Sequence, residues 1–204
     1  AMVVAAAASS SSSSALGATT PDDTCEVKDD MGGLAALRYG LVVDGHGGSD
    51  CAAFVAAQLP QFVLKSAECA WPDAAAVLKE AFEEVDAGFE DLAEATGATS
   101  GACATFALVS ATEVVVAHCG DTRAVLHAGG VTTVLTRDHR ADDADEASRL
   151  VMRGGAVMNG RVDGVLSPSR AFGDLDMPSR VNGALRPDPD ILCKRWAGRS
   201  SSSR

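Results

Sequence analysis

The chain has 204 residues, which is enough for one domain with a substantial core and too few for two domains of ordinary size. Its 17 basic and 28 acidic residues give a formal net charge of -11, which argues against a general nucleic-acid-binding or anionic-membrane surface. We therefore expect a single folded unit that binds neither nucleic acid nor a membrane, and whose acidic surface is compatible with divalent cations.

The ends of the chain differ in composition from its middle. Residues 1–24 are rich in Ala and contain the run Ser9–Ser14, so we predict that they are disordered. An organellar transit peptide is left open there, although the first arginine is Arg38. We predict a folded part over residues 25–195 and a Ser-rich tail over residues 196–204.

Six cysteines are scattered along the chain without a Cys-x2-Cys pair. This spacing indicates neither a zinc site nor a dense disulfide framework. A reducing compartment is the simplest expectation, and we predict an intracellular location, cytoplasmic or nuclear.

The first predicted elements are a strand and two helices. The apolar residues 39–43 predict a buried strand, and residues 49–59 predict a helix that ends at Pro60. From Asp73 to Ala95, apolar residues recur at steps of three and four, which predicts a long amphipathic helix.

Short β-rich runs then follow, and the short turns between them favour antiparallel pairing. A helix is predicted over residues 143–153, ending at Gly154-Gly155. This order favours sheets covered by helices over a βαβ repeat. The four runs are Ala102–Val109, Glu113–Cys119, Ala124–His127 and Val131–Leu135.

The run Asp44-Gly45-His46-Gly47-Gly48 directly follows the apolar residues 41–43. It combines a carboxylate, an imidazole and flexible backbone at one strand end. Two interpretations are equally balanced on this run alone. It is either the floor of a metal site or a tight Asp-Gly turn that leads into a helix.

Further motifs narrow the choice. Ser100–Thr105 reads SGACAT, His118–Val125 reads HCGDTRAV, and Leu166–Asp174 reads LSPSRAFGD. Two more motifs are LTRDH at residues 135–139 and RVDGVL at residues 161–166. In order and spacing, over about residues 39–190, these segments resemble the metal-dependent protein serine/threonine phosphatases of type 2C, whose motifs include FDGHGG, VGDSRAVL and SRAFGD.

The resemblance implies an α+β fold, a four-layer α-β-β-α sandwich of antiparallel sheets flanked by helices, here incomplete at the C-terminus. It also implies two or more Mg2+ or Mn2+ ions, with Asp44 bridging two of them, the Gly45 carbonyl as a ligand and Asp121 helping to hold a further one. Oxygen ligands suit these hard ions, which can activate a water for attack on phosphorus.

By the same resemblance, His46 would be the general acid beside the leaving alkoxide, a role that suits an imidazole near neutral pH. The implied activity is dephosphorylation of phosphoserine and phosphothreonine in proteins, by a monomer whose partner is its phosphoprotein substrate. No cofactor other than the metal ions is implied.

The chain departs from the family pattern at both ends. The usual upstream arginine is missing, and either Asp22-Asp23 or Asp29-Asp30 could supply the upstream acidic pair. Two metal-binding aspartates expected after Pro187–Asp190 are also missing. The alternative function is therefore a catalytically impaired pseudophosphatase or a truncated isoform that binds phosphoproteins as a regulatory module.

Some residues have interpretations outside this site. We expect His118 and His127 to be structural or solvated, His139 to lie in a turn, and Arg170 and Asp174 to form a structural ion pair. A weaker alternative is a cysteine-dependent phosphatase, because Cys193–Ser200 fits the pattern Cys-x5-Arg-Ser.

Overall fold

The computed structural model describes residues 2–7, 23–31, 34–70 and 73–196. The strands are β1 Met2–Ala7, β2 Asp23–Met31, β3 Leu34–His46, β4 Gly101–Val109, β5 Glu113–Cys119, β6 Arg123–Ala128, β7 Val131–Val134, β8 Val157–Met158, β9 Arg161–Val162, β10 Phe172–Gly173 and β11 Asp190–Arg195. The helices are α1 Asp50–Ala70, α2 Ala74–Thr96, α3 Ala144–Met152 and α4 Pro178–Val181.

A six-stranded antiparallel sheet forms the centre of the molecule, in the order β11-β5-β4-β3-β2, with β10 also paired to β4. Strand β4 is the middle of this sheet and is almost wholly buried. One face of the sheet packs on α1 and α2 through the main hydrophobic core, which includes Phe82, Phe89, Phe106 and Phe172. This core fixes the strand ends that carry the motifs.

A second antiparallel sheet, β1-β6-β7, lies against the other face. Ala107, Val114 and Val116 of the central sheet meet Ala124 and Leu126 of β6 in a smaller core. The prediction of antiparallel sheets flanked by helices in an α+β fold is confirmed. Within the described residues, the layers seen are α1 with α2, the central sheet and the second sheet.

The long helix predicted after Asp73 is confirmed as α2. Asp73 caps it by accepting a hydrogen bond from the Ala76 amide, and Gly97 ends it in the left-handed conformation. The predicted end of α1 at Pro60 is wrong, because the helix continues to Ala70. Leu59 and Val63 are fully buried on either side of Pro60, so packing maintains the helix through the residue that interrupts its hydrogen bonds.

Disorder was predicted for the whole of residues 1–24, and the described part of that segment differs. Met2–Ala7 forms β1, and β2 begins at Asp23. The backbone of β1 completes a hydrogen-bonded ladder with β6, which would otherwise have an open edge. Residues 8–22 and the predicted tail from residue 197 lie outside the described residues.

Two further features concern the molecule as a whole. Cys25, Cys51, Cys103, Cys119 and Cys193 are free thiols in the described part of the chain. No helix among the described residues has the length and apolar character needed to cross a membrane.

Candidate functional site

The candidate site lies at one end of the central sheet. Strand β3 ends at His46, beside Gly101 at the start of the neighbouring antiparallel strand β4. Strand β5 ends at Cys119, at the same end of the sheet, and Asp121 follows it. The antiparallel topology therefore brings Asp44, His46 and Asp121 to one edge, although Asp121 is distant from the other two in sequence.

Asp44 is surrounded by other carboxylates. Burial, the negative charges of Asp23 and Asp121 and a hydrogen bond with Asp23 together raise the pKa of Asp44 to about 6, and burial is the largest of these causes. Carboxylates placed this close together without a compensating cation repel one another. The donor set, which consists of carboxylate oxygens with the backbone of Gly45 next in the strand, therefore fits a hard divalent cation.

The strand register distinguishes the two upstream acidic pairs. Asp23 lies directly opposite Asp44 across the β2-β3 ladder, whereas Asp29 lies opposite Arg38. Six residues of extended strand separate the two positions by about 20 Å. Asp23, from the Asp22-Asp23 pair, is thus the upstream carboxylate at the site, and Asp22 lies outside the described residues.

Asp121 is buried and is bound by an arginine. Nη1 of Arg140 donates to Oδ2 of Asp121 at 3.3 Å, and Arg140 also binds Asp142. Among the residues that the structure describes, no group of three or more His, Cys, Asp or Glu side chains is arranged to hold one metal ion. Asp121 therefore contributes to the charge at Asp44, while its own side chain is engaged elsewhere.

His46 forms a close pair with Asp174, a partner that the sequence did not indicate for it. Its Nε2 lies 2.8 Å from Oδ2 and 3.0 Å from Oδ1 of Asp174. Burial acts to lower the pKa of His46, but Asp174 and the charges of Asp44 and Asp121 outweigh it and raise that pKa above its ordinary value. An imidazole that keeps its proton near neutral pH is suited to act as a proton donor.

The predicted ion pair between Arg170 and Asp174 is wrong. Arg170 instead binds Glu146 through Nη2 at 2.5 Å and Asp190 through Nη1 at 2.8 Å. Burial acts to raise the pKa of Glu146, but hydrogen bonds from Arg170 and Ser169 hold it at about 2. Asp174 is only four positions after Arg170, but the turn through Gly173 directs it to His46 instead.

Comparison with known proteins identifies the family. The family model described as protein phosphatase 2C matches residues 10–198. The chain belongs to the protein phosphatase 2C family. This family is metal dependent, which agrees with the oxygen-rich donor set around Asp44.

Relatives in the family extend beyond this chain. A rice protein named probable protein phosphatase 2C 47 is 37% identical over 76% of the chain, which spans 41% of that relative. The fission yeast protein phosphatase 2C homolog 3 is 34% identical over 76% of the chain, which spans 37% of it. The chain thus spans less than half the length of these two curated relatives.

Solved structures share the fold of this phosphatase 2C chain. A serine-threonine phosphatase 2C from Toxoplasma gondii has a TM-score of 0.69 at 17% identity, over 96% of this chain and 73% of its own. A C. elegans sex determining protein has a TM-score of 0.74 at 22% identity, over 88% of this chain and 46% of its own. At these identities the likeness concerns the fold alone.

Two buried histidines support the turn that carries Asp121 in this phosphatase 2C domain. His118 Nε2 donates to the Arg137 carbonyl at 3.0 Å and Nδ1 accepts from the Thr105 hydroxyl at 3.0 Å, so His118 is structural, as expected. His139 lies outside helices and strands, but its ring is buried against His118, and its Nδ1 accepts from the Gly120 amide. His127 is exposed and is bonded to Thr132.

Cys193 does not form a phosphate loop. It lies within the extended strand β11, opposite Val115, and is exposed. A nucleophilic cysteine of the predicted type needs a loop that wraps around the phosphate, whereas residues 190–195 are straight strand. This geometry contradicts the cysteine-phosphatase interpretation, and the remainder of that motif after Trp196 lies outside the described residues.

Proposed function

We propose that this chain dephosphorylates phosphoserine and phosphothreonine in proteins with the help of bound Mg2+ or Mn2+. The observation that carries the proposal is the crowding of Asp44, Asp23 and Asp121 beside His46 at one edge of the sheet. Membership of the phosphatase 2C family supports the same assignment.

In this proposal, Asp44 and Asp23, together with the Gly45 carbonyl, would hold the metal, and Asp121 would assist on release from Arg140, which binds it in this structure. The bound ions would supply an activated water and neutralise phosphoryl charge. The two positive-φ glycines Gly47 and Gly48 leave the backbone after His46 free of side chains, so a phosphate can approach closely. His46 then donates its proton to the departing serine or threonine oxygen.

A second candidate is a catalytically impaired module that binds phosphoproteins. It is favoured by the ion pair between Arg140 and Asp121, which occupies one expected metal ligand. In the described part of the chain, the lack of a three-residue metal cluster agrees with it.

The two candidates differ in turnover. The purified chain is assayed for phosphate release from a phosphothreonine peptide with Mn2+, beside Asp44→Asn and the matched control Asp91→Asn, which alters an exposed aspartate on α2. We expect Asp44→Asn to lower turnover by at least about 100-fold, because loss of even a supporting residue at a metal site has effects of 10- to 100-fold. Asp91→Asn should match the wild type.

Equal phosphate release by the wild type and Asp44→Asn would refute the enzyme assignment. Calorimetric binding of the intact phosphopeptide by a wild type that releases no phosphate would favour the second candidate instead.

A further inference from the structure

We propose that Asp174 is a positioning residue for His46: its carboxylate holds the imidazole by Nε2 and leaves Nδ1 to face the leaving group. The inference rests on the proposed function, but it concerns a residue that lies 128 positions from its partner. Strands β3, β4 and β10 meet at Gly101.

Gly101 provides the space in which the pair forms. In the central sheet, Gly101 lies between His46 of β3 on one side and Gly173 of β10 on the other. A Cβ atom at Gly101 would lie 2.3 Å from Nε2 of His46 and 2.4 Å from Oδ2 of Asp174. The two side chains therefore meet directly over a backbone position that only glycine leaves open.

The backbone around Asp174 is bent to bring its carboxylate there. Gly173 and Asp174 both have left-handed φ angles, of 69° and 52°, and a non-glycine residue rarely adopts this conformation. Asp86 on α2 accepts a hydrogen bond from the Gly173 amide at 3.1 Å, and the Asp174 amide donates to the Ser100 carbonyl at 3.2 Å. Strained backbone held by its surroundings in this way is typical of functional sites.

The pairing determines which ring nitrogen carries a proton. A carboxylate only accepts hydrogen bonds, so Nε2 of His46 must be the donor in this contact. Asp174 is almost wholly buried, while the side chain of His46 is 26% exposed. The histidine can therefore be reached from solvent, whereas the carboxylate that fixes the orientation of its ring lies on the buried side.

The first experiment does not depend on turnover. The chain has only four histidines, so 15N-labelled protein gives a short list of ring signals, and His46→Gln identifies the one from His46. We expect a His46 Nε2–H signal in the wild type. In Asp174→Asn, which keeps the side-chain shape and the tolerance of left-handed backbone, that signal should shift upfield and exchange faster with water, because a neutral acceptor bonds more weakly.

The exposed Asp176 provides the control, since Asp176→Asn removes the same charge two residues away. Its spectrum should match that of the wild type. A His46 Nε2–H signal that has the same position and exchange rate in Asp174→Asn as in the wild type would overturn the proposal.

The second experiment separates positioning from a general structural effect. Phenyl phosphate has a poor leaving group that needs a proton, whereas p-nitrophenyl phosphate has a good one that does not. We expect Asp174→Asn to lower kcat on phenyl phosphate by about 10- to 100-fold, with less than about a threefold change on p-nitrophenyl phosphate and little change in KM. His46→Gln should show the same split.

Equal losses on both substrates would overturn the positioning role. A wild type that hydrolyses neither substrate would instead count against the proposed function, and the ring signals of His46 would still decide the role of Asp174.

Discussion

Asp44 occupies a position that is unfavourable for the protein without a metal ion. Its carboxylate is half-buried and adjacent to the charges of Asp23 and Asp121. In the folded chain the pKa of Asp44 is about 6, above the ordinary 3.8, so the fold favours the protonated form. A bound cation would reverse this preference, and the residue is therefore better suited to binding than to stability.

Replacing Asp44 should stabilise the metal-free chain. Because the folded pKa is raised, the free energy of unfolding falls as pH rises from about 4 to 6, and the loss is complete above pH 6. At pH 7 with a chelator, we expect Asp44→Asn to add about 1 kcal/mol, after discounting for solvent screening of a half-exposed group. That corresponds to about 3 °C in Tm for a chain of this length, measured by circular dichroism.

The control is Asp91→Asn, whose exposed carboxylate should leave Tm unchanged. A Tm for Asp44→Asn at or below that of the wild type at pH 7, with chelator present, would show that the carboxylate cluster does not strain the fold.

Sequence patterns indicated candidate site residues only where the signal was local. Asp44, Gly45 and His46 stand in one contiguous run, and Asp121 follows a strand in a recognisable motif. Asp174 was assigned the wrong partner, because its pairing with His46 depends on β10 joining β4 and on the backbone bend at Gly173. Neither contact leaves a periodic or local pattern in the sequence.

At the scale of elements, a buried ion pair joins α2 to the segment after β10. Arg180 on α4 binds Asp86 at 2.7 Å and also contacts Glu90, and both Arg180 and Asp86 are almost fully buried. Asp86 in addition accepts the Gly173 amide. This junction connects the helical layer to the turn that presents Asp174.

Removing one partner of this ion pair should lower the free energy of unfolding more than replacing both partners with apolar residues. We expect Asp86→Ala to lower the free energy of unfolding by about 3 kcal/mol, because Arg180 remains buried with only part of its compensation. The double variant Asp86→Leu with Arg180→Met should lose clearly less, since neither charge is left buried. Urea unfolding measures both, and Glu83→Ala, at an exposed helix pair, should change stability by less than about 0.5 kcal/mol.

A double variant that is less stable than Asp86→Ala would contradict the desolvation argument. It would indicate that the ion pair itself, and not the avoidance of an unpaired charge, stabilises the junction.

His118, on strand β5, should make the stability of the fold decrease in acid. Burial, with a smaller contribution from neighbouring His139, lowers the pKa of His118 to about 4. Since the folded pKa lies below the unfolded value of 6.5, unfolding takes up a proton between pH 6.5 and 4, and stability falls as pH falls through that window. The loss is up to about 3 kcal/mol.

The pH dependence of urea unfolding tests this sign. His118→Gln cannot titrate, so its stability should decline less between pH 6.5 and 4, whatever its starting value. His127→Gln, at an exposed histidine on β6, should keep the wild-type slope. Identical slopes for His118→Gln and the wild type would exclude His118 as the source.

Element prediction succeeded where one face of an element is buried and failed where packing overrides a local rule. The spacing of Phe82, Val85 and Phe89 predicted α2, because these side chains face one core. Packing on the same core keeps α1 helical beyond Pro60, whereas the rule that proline ends a helix predicted that α1 stops there. For β1, an Ala-rich sequence without a hydrophobic pattern gave no signal, and only the open edge of β6 accounts for its pairing.

At the scale of the whole molecule, the fold could be predicted because its motifs stand at strand ends in a fixed order. The layers follow from two different hydrophobic faces of the central sheet, one toward the helices and one toward β6. The arrangement of Asp121 could not be predicted in the same way, because its bond to Arg140 depends on how the segment after β7 returns to the sheet.

The whole fold should respond to metal binding, since the candidate ligands come from β2, from β3 and from the turn after β5, which meet at one edge of the sheet. An ion that binds only the folded chain stabilises it by about 2.7 kcal/mol when present at 100 times its Kd. For a chain of this length that is a rise of about 5 to 10 °C in Tm. We expect scanning calorimetry to show this rise with Mn2+ and its reversal by chelator in the wild type. Asp44→Asn, although more stable without metal, should gain little, and an equal gain in both proteins would place Mn2+ elsewhere on this acidic chain.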